Sequence, residues 1–343
     1  MGTSDTTITN DGYIFGGGPA AIYFNNSTDP TKVADVFNNG TIEGTEVGIL
    51  RNSGSETIRV INTGTIKGGN FSFQQGTAAT VAKDQITNNG KMIGAIDFGG
   101  GDDLYDGKLD TISGSIDGGA GADRLYSGAG NNTLLGGEGG DTLGGGGGAD
   151  KLNGGAGTDT ATYSYAKSAV TVSLTSPASN KGDAAGDTFV SIENIYGSVY
   201  NDALSGNSIA NAISGSGGND TIRGYGGNDT LTGGSGKDTF IFHTTLAPAT
   251  NVDKITDFKA VDDTIQLENG IFTALTTLGT LSAAAFRANG TGLTGDSTDR
   301  IIYETDTGKI FYDRDGTGSS YDSVHFATLV TKPAITSADF III

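Results

Sequence analysis

The chain has 343 residues, no cysteine and a formal net charge of −19. Because 39 Asp and Glu outnumber 20 Lys and Arg, the composition argues against a nucleic-acid or anionic-membrane surface and favours cations as partners. The absence of cysteine excludes disulfides and thiolate metal sites. The first residues, MGTSDTTITN, lack the basic and apolar stretches of a secretory signal peptide, and no run of 18 apolar residues occurs. We therefore expect no cleaved N-terminal signal and no transmembrane segment.

A long, faint repeat occupies residues 1–117. Four copies, ITNDGYIFG, VFNNGTIEG, VINTGTIKG and ITNNGKMIG, are followed by a weaker fifth, DTISGSIDG. Their middle glycines are Gly12, Gly40, Gly64, Gly90 and Gly114. A period of this length is typical of stacked supersecondary units and predicts the coils of a right-handed parallel β-helix. The alternative is an irregular β-sandwich with incidental Asn-Gly turns.

Three columns of like residues run through these copies. One apolar column comprises Ile8, Val36, Val60 and Ile86. A second comprises Ile14, Ile42, Ile66, Met92 and Ile116. The third column, Asn10, Asn38, Asn62 and Asn88, predicts a ladder of stacked side-chain amides. The fifth copy has Asp110 and Ile112 in place of the apolar and Asn residues, so the ladder should end before it.

Two later blocks, residues 118–163 and 197–242, repeat every nine residues. The first carries an acidic or amide residue at Asp123, Asn132, Asp141, Asp150 and Asp159. The second carries one at Asp202, Asn211, Asp220, Asp229 and Asp238. A flexible glycine-rich linker would not keep this register. Segments such as GYGGNDTLT match GGxGxDxUx, the calcium-binding nonapeptide.

The nonapeptide pattern predicts where calcium binds. GGxGxD turns a corner and xUx forms a short strand, so two repeats complete one coil and like corners recur every 18 residues. A cation between two corners can take Asp carboxylates and the carbonyls of the glycine-rich turns. The predicted ligand residues of the turns are Gly119, Gly121, Gly128, Gly130, Gly136, Gly137, Glu138, Gly139, Gly145, Gly147, Gly154 and Ala156 in the first block. Those of the second block are Gly215, Gly217, Gly218, Gly224, Gly226, Gly233 and Ser235.

The 18-residue offset also ranks the corners. Asp141 is predicted to serve two sites, one with Asp123 and one with Asp159, whereas Asp150 has only Asn132 as a neighbour and no charged one. Edges that contain Asn should bind calcium more weakly. The first two repeats of the second block, GSVYNDALS and GNSIANAIS, have lost inner glycines, which argues against the sites that they share. One apolar side chain per repeat cannot offset the ordering of nine residues, so calcium binding should be coupled to folding.

Residues 118–343 resemble RTX, or haemolysin-type, calcium-binding proteins that are exported by type I secretion. Besides the nonapeptides, KDTFIFHTTLAPATNVDKITDFKAVDDTIQL is similar to the start of the serralysin-like C-terminal domain, and ADFIII is similar to the uncleaved export signal of the family. The resemblance implies that Asp238 and Asp257 hold the last calcium. It also implies an extracellular protein of a Gram-negative bacterium, with the type I secretion machinery as a partner.

The predicted class is therefore all-β, in five segments. Residues 1–117 form parallel β-helix coils and residues 118–163 the first β-roll block. Residues 164–196 form spacer coils and residues 197–242 the second β-roll block. Residues 243–343 form a β-rich C-terminal cap and secretion domain, in which RIIYETDTGKIFYDRDG is expected to be a hairpin.

The sequence does not decide whether the protein is an enzyme, and it favours a protein without enzymatic activity. His243 and His325 lie far apart and no HExxH motif occurs, which argues against a zinc protease. The favoured function is a non-enzymatic adhesin or matrix protein whose N-terminal coils bind extracellular polysaccharide or a cell surface. The alternative is a polysaccharide lyase, epimerase or hydrolase. Asp102, Asp103 and Asp106 could form its carboxylate cluster, although a degenerate calcium corner is the preferred interpretation.

Overall fold

Short β-strands form most of the regular structure, together with a few 3-10 turns. The computed structural model describes residues 6–25, 29, 31–76, 82–109, 111–293, 295–316 and 323–343. The chain divides into two compact units, Met1–Tyr163 with Asp183–Ile192 and Ser164–Gly182 with Glu193–Ile343. Over the described ranges, no helix is long and apolar enough to span a membrane.

The first unit is built from strands that alternate between two parallel sheets. Its strands before the spacer are β1 Thr6–Asn10, β2 Tyr13–Gly16, β3 Ala20–Phe24, β4 Val33–Asn38, β5 Thr41–Gly44, β6 Val47–Arg51, β7 Thr57–Asn62, β8 Thr65–Gln75, β9 Gln85–Asn88, β10 Lys91–Asp97, β11 Leu104–Asp106, β12 Thr111–Ile112, β13 Ile116–Ala120, β14 Arg124–Tyr126, β15 Thr133–Glu138, β16 Thr142–Gly144, β17 Lys151–Ala156 and β18 Thr160–Thr162. In the spacer, β19 Thr171–Ser173 belongs to the second unit and β20 Thr188–Val190 to the first. Two 3-10 turns, Pro177–Ser179 and Gly182–Ala184, lie between them.

Each coil of the first unit contributes one strand to each sheet. One sheet has the order β1-β4-β7-β9-β11-β14-β16-β18 and the other the order β2-β5-β8-β10-β13-β15-β17-β20. Three further strands lie beside the second sheet: β3 pairs with β6, β6 with β8, and β12 with β10. The long-period coils and the first nonapeptide block therefore share the same two sheets, with no linker between them. This arrangement confirms the predicted parallel β-helix that runs into a β-roll.

The apolar columns of the long repeat stack inside the solenoid as predicted. Val36 pairs in register with Val60, and Ile42 with Ile66, in two parallel sheets. All four side chains are fully buried. Their stacking is the packing that a repeat of coils provides, since each coil alone cannot bury its apolar face.

The alignment of the fifth copy was wrong. Met92 pairs with Ile112, whereas Ile116 pairs with Ile96. In the other sheet, the strand that contains Ile86 pairs with the one that contains Tyr105, only 19 residues later. The coils shorten here toward the 18 residues of the roll, so the middle glycine no longer marks the same corner. Asp110 lies outside the described residues.

The predicted asparagine ladder is present. Nδ2 of Asn10 donates to Oδ1 of Asn38 at 2.7 Å, Asn38 donates to Asn62 at 2.7 Å, and Asn62 donates to Asn88 at 2.6 Å. The amide of Asn88 donates to the hydroxyl of Tyr105 at 3.3 Å, so the ladder ends at the next coil. These buried polar groups are satisfied from coil to coil without a charged partner.

Asn38→Ala should destabilise the N-terminal coils strongly. The change removes the side-chain acceptor of the Asn10 amide, which keeps only its bond to the Thr41 carbonyl, and leaves Oδ1 of Asn62 without its Asn38 donor, a loss of about 3 kcal/mol. Asn39→Ala is the matched control, because Asn39 is exposed and bonds Asp11 at the surface. Urea unfolding at saturating calcium should show a lower midpoint for Asn38→Ala alone, and equal midpoints would contradict a structural role of the ladder.

The second unit is also built mainly from parallel strands of two sheets. Its remaining strands are β21 Asn194–Tyr196, β22 Ala203–Ser205, β23 Ala212–Ser214, β24 Thr221–Arg223, β25 Thr230–Thr232, β26 Thr239–Phe242, β27 Asp253–Ile255, β28 Thr264–Leu267, β29 Gly279–Thr280, β30 Phe286–Asn289, β31 Ile301–Glu304, β32 Lys309–Asp313, β33 Ser323–Leu329 and β34 Phe340–Ile342. Two 3-10 turns are Ala283–Ala285 and Ser337–Asp339. The sheet orders are β21-β23-β25-β27-β33-β32-β31-β30 and β19-β22-β24-β26-β28-β34-β29.

The C-terminal strands extend the two roll sheets. β27 pairs in parallel with both β25 and β33, and β31 and β32 form the predicted antiparallel hairpin. Within the ADFIII segment, Phe340–Ile342 form β34, which lies between β28 and β29 and so is not an edge strand. Phe340 and Ile342 of this strand are buried.

Candidate metal sites

The corners of the nonapeptide repeats stack into ladders of carboxylates. Oδ1 of Asp141 accepts the backbone N–H of Asp123 at 2.8 Å, and Oδ1 of Asp159 accepts the N–H of Asp141 at 2.7 Å. Oδ1 of Asp150 accepts the N–H of Asn132 at 2.8 Å. Like corners therefore lie 18 residues apart in the first block, as the repeat predicts.

The same contact defines four ladders. Ladder 1 comprises Asp84, Asp103, Asp123, Asp141 and Asp159. Ladder 2 comprises Asn132, Asp150 and Asp187. Ladder 3 comprises Asp202, Asp220, Asp238 and Asp263. Ladder 4 comprises Asn211, Asp229 and Asp253.

The nine-residue period did not find several members of these ladders. Asp187, Asp253 and Asp263 each follow an excursion, so they lie 37, 24 and 25 residues after the ladder member below. The sequence feature that could have identified them is an aspartate with an apolar residue two positions later, as in DTF, DKI and DTI. The statement that Asp150 has no charged neighbour was consequently wrong, because Asp187 lies in the next coil.

The second oxygen of most ladder aspartates is buried without a hydrogen-bond donor among the described residues. These Oδ2 atoms belong to Asp84, Asp103, Asp123, Asp141, Asp150, Asp220, Asp229 and Asp238. A buried carboxylate oxygen that lacks a partner is destabilising, and a cation would remove that cost. The orphaned oxygens therefore fit a bound metal.

Backbone carbonyls approach these oxygens through glycines that leave no room for a side chain. A Cβ on Gly136 would lie 2.3 Å from Oδ2 of Asp141 and 2.5 Å from the carbonyl oxygen of Gly154. A Cβ on Gly215 would lie 2.1 Å from Oδ2 of Asp220. Carboxylate and carbonyl oxygens in a glycine-lined corner are the donor set that calcium prefers.

Acidic side chains alone do not complete a site. No three His, Cys, Asp or Glu side chains converge as metal ligands in the part of the chain that the structure describes. The stacked corners bring carboxylates together along an edge, so most of the six to eight oxygens of a calcium ion would come from the backbone. This accounts for the number of glycines in the motif.

Burial and neighbouring charge raise the pKa of the ladder carboxylates. Burial, with a smaller contribution from the Asp141 charge, raises the pKa of Asp123 to about 7. Burial and the Asp187 charge raise the pKa of Asp150 to about 7. Burial and the charge of Asp202 and Asp238 raise the pKa of Asp220 to about 7. These carboxylates are poorly solvated as anions, so a divalent cation stabilises their charged form.

Several of the other predicted turn residues form backbone hydrogen bonds between stacked corners. Glu138 has an exposed side chain, and its carbonyl accepts the N–H of Gly121 at 2.7 Å. The carbonyls of Gly147, Ala156 and Ser235 accept equivalent bonds from Gly130, Gly139 and Gly218. A positive φ, which favours glycine, occurs at Gly119, Gly121, Gly130, Gly137, Gly139 and Gly218. The remaining predicted glycines, Gly128, Gly145, Gly154, Gly217, Gly224, Gly226 and Gly233, lie in the same corners.

Two other predicted sites differ from the regular corners. Asp257 accepts the N–H groups of Gly233 and Gly234 at 3.0 and 2.7 Å, so both its oxygens face the last nonapeptide corner. At Asp103, the position that is glycine in the repeats is Phe98, whose ring is buried. Ladder 1 therefore continues into the β-helix without the glycine that lies beside the carboxylate in the repeats.

The possible catalytic cluster does not converge on one point. Asp102 is exposed and pairs with Lys83, whereas Asp103 is buried in ladder 1. Asp106 pairs with Lys108 at 3.1 Å.

The DRDG segment, residues 313–316, forms a turn in which Oδ1 of Asp313 accepts hydrogen bonds from the N–H groups of Asp315 and Gly316.

A protein-family model matches the nonapeptide motif. The model of the RTX calcium-binding nonapeptide repeat (4 copies) matches residues 110–143, 126–161 and 205–240. A solved structure, the solution structure of the AlgE6R3 subunit from the Azotobacter vinelandii mannuronan C5-epimerase, matches at 20% identity over 41% of this chain and 78% of that chain, with a TM-score of 0.15. No curated protein matches the sequence. By the family match, the two repeat blocks are calcium-binding RTX repeats.

Proposed function

We propose that this RTX calcium-binding protein is secreted, folds on calcium outside the cell, and uses its N-terminal coils to bind an extracellular polysaccharide. The observation that carries the proposal is the contrast between the two kinds of coil. The rolls stack buried carboxylates whose second oxygens lack protein donors, whereas the N-terminal coils stack amides that satisfy one another.

Calcium-dependent folding suits a protein that must stay unfolded until it is outside. Calcium binds the folded rolls and stabilises them by mass action, so a compartment with little free calcium leaves them unfolded. Export through a type I system would then deliver an unfolded chain to a medium that supplies the metal. This route needs no disulfide, and the chain has no cysteine.

The surface of the first coil offers a binding face for sugars. Tyr13 and Phe15 are 61% and 60% exposed, and their rings lie parallel, with an interplanar angle of 4° and centroids 6.3 Å apart. The Tyr13 hydroxyl donates to Glu43 at 2.8 Å, and Glu43 also pairs with Lys67. Exposed aromatic rings beside fixed polar groups present both an apolar face and hydrogen-bond partners, which is what a sugar ring requires.

Polysaccharide binding is tested by affinity electrophoresis of the calcium-loaded protein in gels that contain different polysaccharides. Tyr13→Ala and Phe15→Ala should abolish retardation in the gel that retards the wild type. Tyr165→Ala is the matched control, because Tyr165 is also exposed but lies outside the N-terminal coils. Retardation that all three variants retain would contradict the proposed face. Release of new reducing ends in the same mixtures would support the alternative, a polysaccharide-degrading enzyme.

Secretion is tested in a Gram-negative host that carries a type I exporter. The full chain should appear in the medium without N-terminal processing, as intact mass measurement would show. Deletion of residues 243–343 should retain the protein inside the cell. Export of the deletion variant at the wild-type level would contradict the proposed route.

A further inference from the structure

The corner at Asn132 differs from the aspartate corners in how its polar atoms are satisfied. Nδ2 of Asn132 lies 3.3 Å from the carbonyl oxygen of Gly128, 3.0 Å from that of Gly130 and 3.3 Å from that of Gly145. The side chain is buried, with 6% of its surface exposed. The amide thus donates into a cage of backbone carbonyls.

At an aspartate corner, the equivalent backbone carbonyl faces a carboxylate oxygen instead of an amide nitrogen. Gly145 stands five residues before Asp150, and the equivalent residue for Asp141 is Gly136. A Cβ on Gly118 would lie within 2.8 Å of the Gly136 carbonyl oxygen and 2.3 Å of Oδ2 of Asp123. There two acceptors meet, and a cation between them would bind both, whereas Asn132 places a donor beside the equivalent carbonyl.

The first member of ladder 4 is satisfied in a related way. Nδ2 of Asn211 donates to the carbonyl oxygen of Glu193 at 2.7 Å and to Oδ1 of Asn207 at 3.2 Å. Its Oδ1 accepts the N–H of Asn207 at 2.8 Å. Every polar atom of this side chain therefore has a protein partner.

The first members of ladders 1 and 3 also have protein donors. The guanidinium of Arg51 donates to the carboxylate of Asp84, and both side chains are fully buried. Asp202 accepts the N–H of Ser198 at 2.6 Å and the hydroxyl of Ser198 at 2.8 Å. In ladders 2, 3 and 4, therefore, the first corner contains a donor that the inner corners lack, whereas in ladder 1 Oδ2 of Asp84 has no donor among the described residues.

We infer that protein donors close the first corner of ladders 2, 3 and 4 in place of calcium, and that the corner at Asn132 is a latent calcium site, held shut by its side-chain amide. In these three ladders, calcium sites are then confined to the aspartate corners that follow the first. Each of the three ladders starts from a corner that keeps its shape without metal. The inference rests on the calcium binding of the repeats and is independent of the proposed secretion and polysaccharide binding.

Asn132→Asp tests the inference by replacing the donor with an acceptor of nearly the same shape. The variant should bind one calcium ion more per chain than the wild type, as measured by native mass spectrometry and equilibrium dialysis at saturating calcium. Asn131→Asp is the matched control. It adds the same charge one residue away, at an exposed side chain whose Oδ1 accepts the N–H of Ala149, and its stoichiometry should equal that of the wild type. A wild-type stoichiometry in folded Asn132→Asp, or an equal gain in both variants, would overturn the inference.

The reciprocal exchange tests the inference if Asn132→Asp does not fold. Asp150→Asn should bind one ion fewer than the wild type. It should nevertheless reach half-maximal folding at a lower calcium concentration than Asp150→Ala, because the new amide can donate to the carbonyls of its corner. Circular dichroism during calcium titration measures both midpoints. Equal midpoints for Asp150→Asn and Asp150→Ala would show that an amide does not replace the cation and would overturn the inference.

Discussion

Removal of calcium should unfold both roll blocks and leave the N-terminal coils folded. In the rolls, the orphaned oxygens of Asp141 and Asp220 are buried next to other carboxylates, so loss of the cation exposes strong mutual repulsion. Each repeat buries one apolar side chain, which is too little to hold nine ordered residues without the metal. We expect unfolding of residues 118–242 as a whole rather than local loosening.

We expect the N-terminal coils before Asp103 to fold without calcium. Their inward columns are apolar, their buried amides bond one another, and the carboxylate of Asp84 is paired with the permanent cation of Arg51. Limited proteolysis in excess chelator, with the products identified by mass spectrometry, should therefore give a resistant fragment that ends before Asp123. Addition of calcium before the protease should protect the rolls as well. Digestion of both regions at one rate in chelator would contradict the prediction.

The parts of the fold that repeat at a fixed interval were predictable from the sequence. The columns at Val36 and Asn38 recur in four coils, and the nine-residue phase of Asp123 and Asp141 fixes the stacking of their corners. A repeat is informative because each coil packs against coils with the same sequence pattern. The register of one pair of strands therefore determines the register of the other pairs. The all-β class and the stacked aspartate corners follow from this regularity.

Features that interrupt the period could not be predicted in the same way. Asp187 returns to ladder 2 after a 37-residue excursion, and no periodic rule fixes the length of such a loop. The pair of Arg51 and Asp84 joins residues 33 positions apart that belong to no repeat column. The change in coil length near Tyr105 shifted the expected register of Ile116. Each of these depends on tertiary packing, which sequence spacing does not encode.

Two single substitutions in the first block should differ in the number of calcium ions lost. Asp141 lies between two charged neighbours: its Oδ1 accepts the N–H of Asp123, and its own N–H donates to Asp159. Asp150 lies between Asn132, whose amide closes its own corner, and Asp187. Asp141→Ala therefore removes a carboxylate shared by two sites, whereas Asp150→Ala removes one carboxylate from a single site.

We expect Asp141→Ala to lose about two ions and Asp150→Ala about one, with the larger rise in the calcium midpoint for Asp141→Ala, because extracellular sites start from only about 10⁻⁴ to 10⁻³ M affinity. Native mass spectrometry gives the stoichiometry, and circular dichroism during calcium titration gives the midpoint. Glu138→Ala is the control, since it removes an exposed carboxylate from the same block while its backbone carbonyl remains bonded to Gly121. Equal losses for the two aspartate variants, or a larger loss for Asp150→Ala, would mean that ions do not bridge successive corners of a ladder, and each corner would then bind its own ion.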